Sequence, residues 1–147
     1  MKLRPIYTGL NCEYEMQDLF ANWLKEKHFK FVTEFTVKEV HRRADFLLLS
    51  QGRLVNVEAK YSDFNCMMRQ LKDHSKYCDY CFAFIPNDIP TSIDFKKQLG
   101  QNKFGLIVFN RQTKEITEVL EAHYNKPENK RLKEETINKI REHKEKK

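Results

Sequence analysis

The 147 residues read as one α/β domain built around a mixed sheet, and three observations carry that reading. Apolar residues recur with a helical period near the start of the chain. Three strand-like runs then follow one another. Two short apolar runs come later, each preceded by a stretch with helical character.

The first pattern is Met16, Leu19, Phe20, Trp23 and Leu24, spaced i, i+3, i+4, i+7, i+8, which predicts an amphipathic helix from about Asn11 to Lys27. Residues 30–37, 44–49 and 54–59 form a stretch of short, largely apolar runs that predicts three strands. Between the second and third lies Ser50-Gln51-Gly52-Arg53, whose glycine supports a tight hairpin turn. A helix is expected from about Asp63 to Lys76, then a buried strand over residues 80–85 ended by Pro86. A loop with Pro86 and Pro90 leads through a short helix to a second buried strand over residues 104–109.

From residue 126 to 147 the composition shifts to Lys, Arg and Glu, with Leu132, Ile137 and Ile140 as the sizeable apolar residues. The division expected is a domain over 1–125 and a basic, helical or partly disordered tail over 126–147, solvated or weakly docked. There is no internal repeat.

Hydrophobic residues make up 40% of the chain and aromatic ones 12%, enough for a core, while a net charge of +6 and a pI near 9.1 favour an anionic partner. The start, Met1-Lys2-Leu3-Arg4-Pro5, lacks the apolar stretch of a signal peptide, and no apolar run reaches the ~18 residues of a spanning helix. A cytoplasmic protein that does not enter a membrane is expected. Cys12, Cys66, Cys78 and Cys81 are then expected as free thiols. Cys78 and Cys81 have C-x-x-C spacing without a second pair, so structural zinc is disfavoured.

The chemistry concentrates in the hairpin. Either a two-residue or a four-residue turn pairs positions whose numbers sum to 103, which sets Asp45 opposite Glu58. Strand alternation puts Lys60 on the face of Glu58, and Phe46, Leu48, Val55 and Val57 on the other face. Two opposed carboxylates repel unless something positive neutralises them. Mg²⁺ (or Mn²⁺) would do so, using Asp45, Glu58 and the carbonyl of Ala59, because hard cations take oxygen ligands. Lys60 would then stabilise an attacking hydroxide and developing charge. The alternative is a structural ion cluster bridged by Lys60.

Asp45, twelve intervening residues and Glu58-Ala59-Lys60 resemble the D…(D/E)-x-K signature of the restriction-endonuclease-like nucleases, the PD-(D/E)-x-K superfamily, with its α-β-β-β-α-β core. The wider run Arg42-Arg43-Ala44-Asp45-Phe46, Val57-Glu58-Ala59-Lys60, Asp63-Phe64, Tyr77-Cys78-Asp79 and Phe82-Ala83-Phe84 is similar to MmcB-like bacterial DNA-repair proteins. Gly9 to Glu15 resembles the G-x-x-x-E-x-E entry to the first helix of archaeal Holliday-junction resolvases, whose first glutamate binds metal. That implies Glu13 as a third metal ligand. On a helical wheel Glu13 lies about 50° from the apolar stripe and Glu15 about 110°, which favours Glu13; the alternative is an acid placed for the helix dipole. The resemblance also implies a supporting role for Gln70, although this chain has Arg69-Gln70-Leu71 where the repair proteins carry a Lys-Trp pair.

Lys38, His41, Arg42 and Arg43 precede Asp45 and are candidate phosphate contacts, with a solvated loop as the alternative. Asp63 is expected to cap the helix after Lys60. Tyr14, Tyr61 and Tyr77 are expected in the core or at the rim, and His74 and His123 have no evident partner in the sequence. The resemblance implies a Mg²⁺-dependent endonuclease acting on DNA in repair, recombination or mobile-element processing, with a possible homodimer. Two alternatives stand beside it: a non-catalytic DNA-binding or repair-accessory module, and a protein-interaction domain using its cysteines for zinc and its tail for a partner.

Overall fold

The structure is a computed structural model, and it describes residues 13–89 and 91–143, with Glu13 described for its backbone only. The element order is α1 (Glu13–Glu26), β1 (Lys30–Val37), β2 (Arg42–Ser50), β3 (Arg53–Ala59), α2 (Phe64–His74), β4 (Tyr80–Pro86), α3 (Ile93–Gln101), β5 (Gly105–Phe109), β6 (Ile116–Leu120) and α4 (Lys130–Glu142). The expected order of helix, three strands, helix and strand is present, and the six strands form one sheet in the order β1-β2-β3-β4-β5-β6. The sheet is mixed: β3, β4 and β5 run parallel, whereas β1–β2, β2–β3 and β5–β6 are antiparallel.

Each face of the sheet buries a separate apolar layer. Met16, Phe20 and Leu24 of α1 pack on Phe46, Leu48, Val57, Phe84 and Phe109. On the opposite face, Met67 and Leu71 of α2, Phe95 and Leu99 of α3, and Leu132, Ile137 and Ile140 of α4 pack on Leu47, Leu54, Ala83 and Ile85. Val57, Phe84 and Leu48 alternate along their strands with Leu54, Ala83 and Leu47, so the central strands are apolar on both sides, as strands covered by helices must be.

Two elements add to the sequence reading. Within the expected tail, residues 130–142 form α4, and Leu132, Ile137 and Ile140 are buried in the layer that α2 and α3 line, so of the two alternatives this helix is docked and not solvated. The short helical repeat of its apolar residues is sufficient to dock it, and Asn129 caps it by accepting from the Leu132 N–H at 2.9 Å. The other is β6, which the sequence reading did not anticipate; it is an edge strand whose three middle residues are exposed, so it carries little hydrophobic signal.

The β2–β3 turn is the two-residue form. Ser50 pairs with Arg53, and Gln51 and Gly52 both take positive φ (52° and 78°), as a type I′ turn requires. From this turn the pairing runs Leu49 with Leu54, Leu48 with Val55, Leu47 with Asn56 and Phe46 with Val57, each summing to 103 as the register argument demands.

Candidate active site at the open end of the hairpin

Main-chain pairing of β2 with β3 stops at Phe46 and Val57, one step short of Asp45 and Glu58. β3 continues on its other side, pairing Glu58 with Ala83 and Ala59 with Phe84, and the Lys60 N–H reaches the Phe84 carbonyl at 3.1 Å. The two strands therefore part where the acids sit, and carboxylates fill the gap. The Asp45 N–H donates to Oε2 of Glu58 at 2.9 Å, and the Ala59 N–H donates to Oδ2 of Asp45 at 2.9 Å. This reciprocal exchange replaces a rung of the ladder with side-chain oxygens.

The neighbouring strand is distorted at the same level. β1 pairs Thr33 with Phe46 and Phe35 with Ala44, but Glu34, which would oppose Asp45, takes φ 50°. Across that kink the residues facing the α2 layer change from even to odd positions, Val32 before it and Val37 after it. Irregular strand geometry of this kind re-aims side chains beside functional sites.

Glu58 is completely buried and Asp45 partly so. Oε2 of Glu58 also accepts from the Asn56 amide at 2.9 Å, whereas Oε1 has no hydrogen-bond partner. Burial first, and the Asp45 charge second, push the Glu58 carboxyl from its ordinary 4.5 up to about 8; its hydrogen bonds and the nearby Lys60 ammonium pull the other way. The Lys60 ammonium acts on the Glu58 carboxyl in the opposite direction, but burial and the Asp45 charge outweigh it.

A buried, unpartnered carboxylate oxygen beside a second carboxylate fits an oxygen-seeking divalent cation. Asp45, Glu58 and the Ala59 carbonyl are the donors the chain offers. Among the described residues no group of three or more His, Cys, Asp or Glu side chains gathers as a metal site. Two carboxylates are the number Mg²⁺ commonly takes from protein, the rest being water and substrate phosphate. The Glu13 side chain lies outside the described residues. Glu15, its rival on α1, pairs with Lys114 at 3.0 Å, at the turn between β5 and β6.

The remaining candidates separate. Gln70 lies on α2, and its Oε1 is buried without a hydrogen-bond partner. Arg42 is held in a 2.7 Å ion pair with Asp73 of α2, so it ties β2 to that helix, while Lys38, His41 and Arg43 are exposed. Asp63 caps α2 by accepting from the Cys66 N–H at 3.1 Å. Tyr77 is fully buried, Tyr61 packs on the α1 layer and Tyr14 is exposed. Cys78 and Cys81 are buried core thiols, and burial together with Cys81 pushes the Cys78 thiol well above its usual range, which opposes the thiolate a zinc site needs. Cys12 lies outside the described residues.

The sequence reading found no partner for His74 and did not single out Asn56. His74 sits on the inward face of α2 with Met67 and Leu71, and its ring Nε2 is 3.8 Å from Oε1 of Glu58. Its spacing of four from Gln70 places both on one side of the helix, which was the available signal.

A search of the solved structures finds the same architecture. An XisH family protein from Nostoc punctiforme matches with a TM-score of 0.52 at 10% identity, over 69% of this chain and 95% of that one. An FdxN element excision controlling factor protein from Anabaena variabilis matches with a TM-score of 0.51 at 14% identity, over the same shares. The fold is shared with XisH family proteins. Among the described residues it is an α/β fold, a mixed sheet of six strands flanked by four helices, consistent with the restriction-endonuclease-like core expected from the sequence. No protein-family model matches the chain, and no curated protein matches its sequence, so the expected kinship with MmcB-like proteins and archaeal resolvases gains no support from sequence.

Proposed function

We propose that this protein is a metal-dependent nuclease that hydrolyses DNA phosphodiester bonds. The observation that carries the reading is the pairing of Asp45 and Glu58 at the parted end of β2 and β3, with the Lys60 ammonium near enough to act on Glu58. The resemblance to the D…E-x-K nucleases rests on these same three residues.

Asp45, Glu58 and the Ala59 carbonyl would hold Mg²⁺ or Mn²⁺. Once bound, such an ion lowers the pKa of water and offsets charge on the phosphate oxygens. The chain's own residues do the rest. The Asp45 and Ala59 N–H groups fix the two carboxylates in place, so little reorganisation is needed when substrate arrives. Lys60, on the face of Glu58, stabilises the negative charge that builds on the phosphate as the attacking oxygen closes. Exposed Lys38, His41 and Arg43 lie just ahead of Asp45 in the chain and would grip flanking phosphates. Glu13 and Gln70 remain supporting candidates on α1 and α2. The excision controlling factor among the structural relatives favours mobile-element processing over repair as the setting, and two copies acting together would suit cleavage of both strands.

The test is a cleavage panel of single-stranded, duplex, flapped and four-way DNA with Mg²⁺ and with Mn²⁺. Metal-dependent cleavage of at least one form, lost in Asp45→Ala and Lys60→Ala, is expected. Full cleavage by either variant, or none by the wild type on any form, sinks the proposal. A second reading, a DNA-binding accessory module that keeps the fold, draws on the complete burial of Glu58. It predicts salt-sensitive DNA binding that chelator leaves unchanged, without cleavage.

A further inference from the structure

Between β3 and α2 lies a buried polar group to which the nuclease reading gives no part. His74 is fully buried, and its Nδ1 stands 2.6 Å from the hydroxyl of Tyr77, itself fully buried. Its other nitrogen, Nε2, faces Oε1 of Glu58 at 3.8 Å, and neither atom has a hydrogen-bond partner. The Arg43 main-chain carbonyl is a second acceptor within reach of the ring N–H and competes with Oε1 for it.

A neutral imidazole carries one N–H, and its place is set by what the other nitrogen touches. Both side chains are fully buried, where a charged form of either is costly, so the ring is neutral and the hydroxyl keeps its proton. The Tyr77 O–H can then donate to Nδ1, which leaves the ring proton on Nε2, pointing at the Glu58 carboxyl. The last torsion of a glutamate is soft, and a carboxyl attached at one oxygen alone can swing. Oε2 is tied to the Asp45 N–H and the Asn56 amide; a donor at Oε1 fixes the plane.

We propose that His74 is a positioning residue for Glu58, with Tyr77 fixing the ring so that Nε2–H faces Oε1 and holds the carboxyl in its plane. The inference rests on the reading of Glu58 as a carboxylate of the active site. The alternative is a core histidine satisfied by Tyr77 alone.

Two measurements on the full chain decide it. Nitrogen-15 spectra of the histidine rings, recorded without metal at about pH 9, where the Glu58 carboxyl is ionised, are expected to show His74 neutral with its proton on Nε2, and Tyr77→Phe to mix the two tautomers. The carbon-13 signal of the Glu58 carboxyl is expected to move in His74→Phe. A proton on Nδ1, or an unmoved carboxyl signal, overturns the proposal whatever the metal does. Mn²⁺ titration then separates this inference from the reading it rests on. His74→Phe is expected to weaken binding about tenfold, as loss of a ligand's supporting partner does, while His74→Gln, which keeps an N–H, stays within about threefold. A merely structural role would lower stability in both variants and leave Mn²⁺ affinity alone. If Glu58→Ala weakens binding and His74→Phe does not, the positioning role fails and the site stands. If Glu58→Ala binds Mn²⁺ as the wild type does, or the wild type binds none, the metal reading of Glu58 fails, and the ring and carboxyl spectra still judge His74.

Discussion

Replacing Glu58 with glutamine removes the charge while keeping the shape, and the structure sets the sign and size of the effect in metal-free protein. The carboxyl has a pKa near 4.5 when unfolded and about 8 when folded, raised chiefly by burial and then by Asp45. The folded chain therefore binds this proton more tightly than the unfolded chain. Its stabilising contribution is complete below about pH 4.5 and is lost as the pH rises through about 8, at roughly 1.4 kcal/mol per pH unit. The full interval corresponds to at most ~5 kcal/mol, and relaxation around a coupled pair of acids reduces the expected loss to about 2 kcal/mol. Urea unfolding in chelator at pH 5 and pH 8.5 reads it directly. Wild type should weaken between the two by about 2 kcal/mol relative to Glu58→Gln, and saturating Mg²⁺ at pH 8.5 should restore wild type by a similar amount but not the variant. Parallel pH profiles for the two proteins would refute the argument that Glu58 is held at a cost in a dry, like-charged setting.

Three further outcomes are expected. Lys60→Ala should lower the DNA cleavage rate by a factor of roughly 100 or more while DNA affinity, read by anisotropy, changes little, because its charge matters most in the transition state. Lys38→Ala and Arg43→Ala should each weaken DNA binding and reduce the slope of log affinity against log salt by about one, whereas Arg42→Ala, which breaks the pair with Asp73, should show its effect in the thermal midpoint. Ile140→Ala should cost about 2–4 kcal/mol in urea unfolding, since Ile140 is fully buried in the α2 and α3 layer; a loss below about 0.5 kcal/mol would return α4 to the status of a tail.

The hairpin was legible because its register follows from arithmetic: any symmetric turn centred on Gln51 and Gly52 pairs Phe46 with Val57, and the acids come next. The helix over Met16 to Leu24 was legible because one apolar stripe faces one layer. What escaped has physical reasons. Leu132, Ile137 and Ile140 are too few among charged residues to announce burial, yet a helix that lays three side chains into an existing layer needs no more. β6 is held by pairing with β5 rather than by its own side chains, so its pattern says little. Arg42 looks like its neighbours in sequence, and only the approach of α2 supplies Asp73. The partnership of His74 with Glu58 and Tyr77 joins residues from β3 and the end of α2, a juxtaposition that periodicity does not encode. The parting of β2 from β3 was also invisible, because alternation assumes that pairing continues to the strand end.

That parting has a consequence for how proteins of this fold are compared. Because Asp45 and Glu58 supply oxygens to main-chain N–H groups that the ladder leaves over, they help close the sheet as well as make up the proposed site. Selection for foldability alone would retain both acids in a descendant that had ceased to cut DNA. The Lys60 ammonium takes no part in that exchange; only its main-chain N–H joins the sheet, and any residue but proline supplies that. Among relatives of this chain, the acids would mark ancestry, and the lysine two positions after the glutamate would be the better marker of a working nuclease.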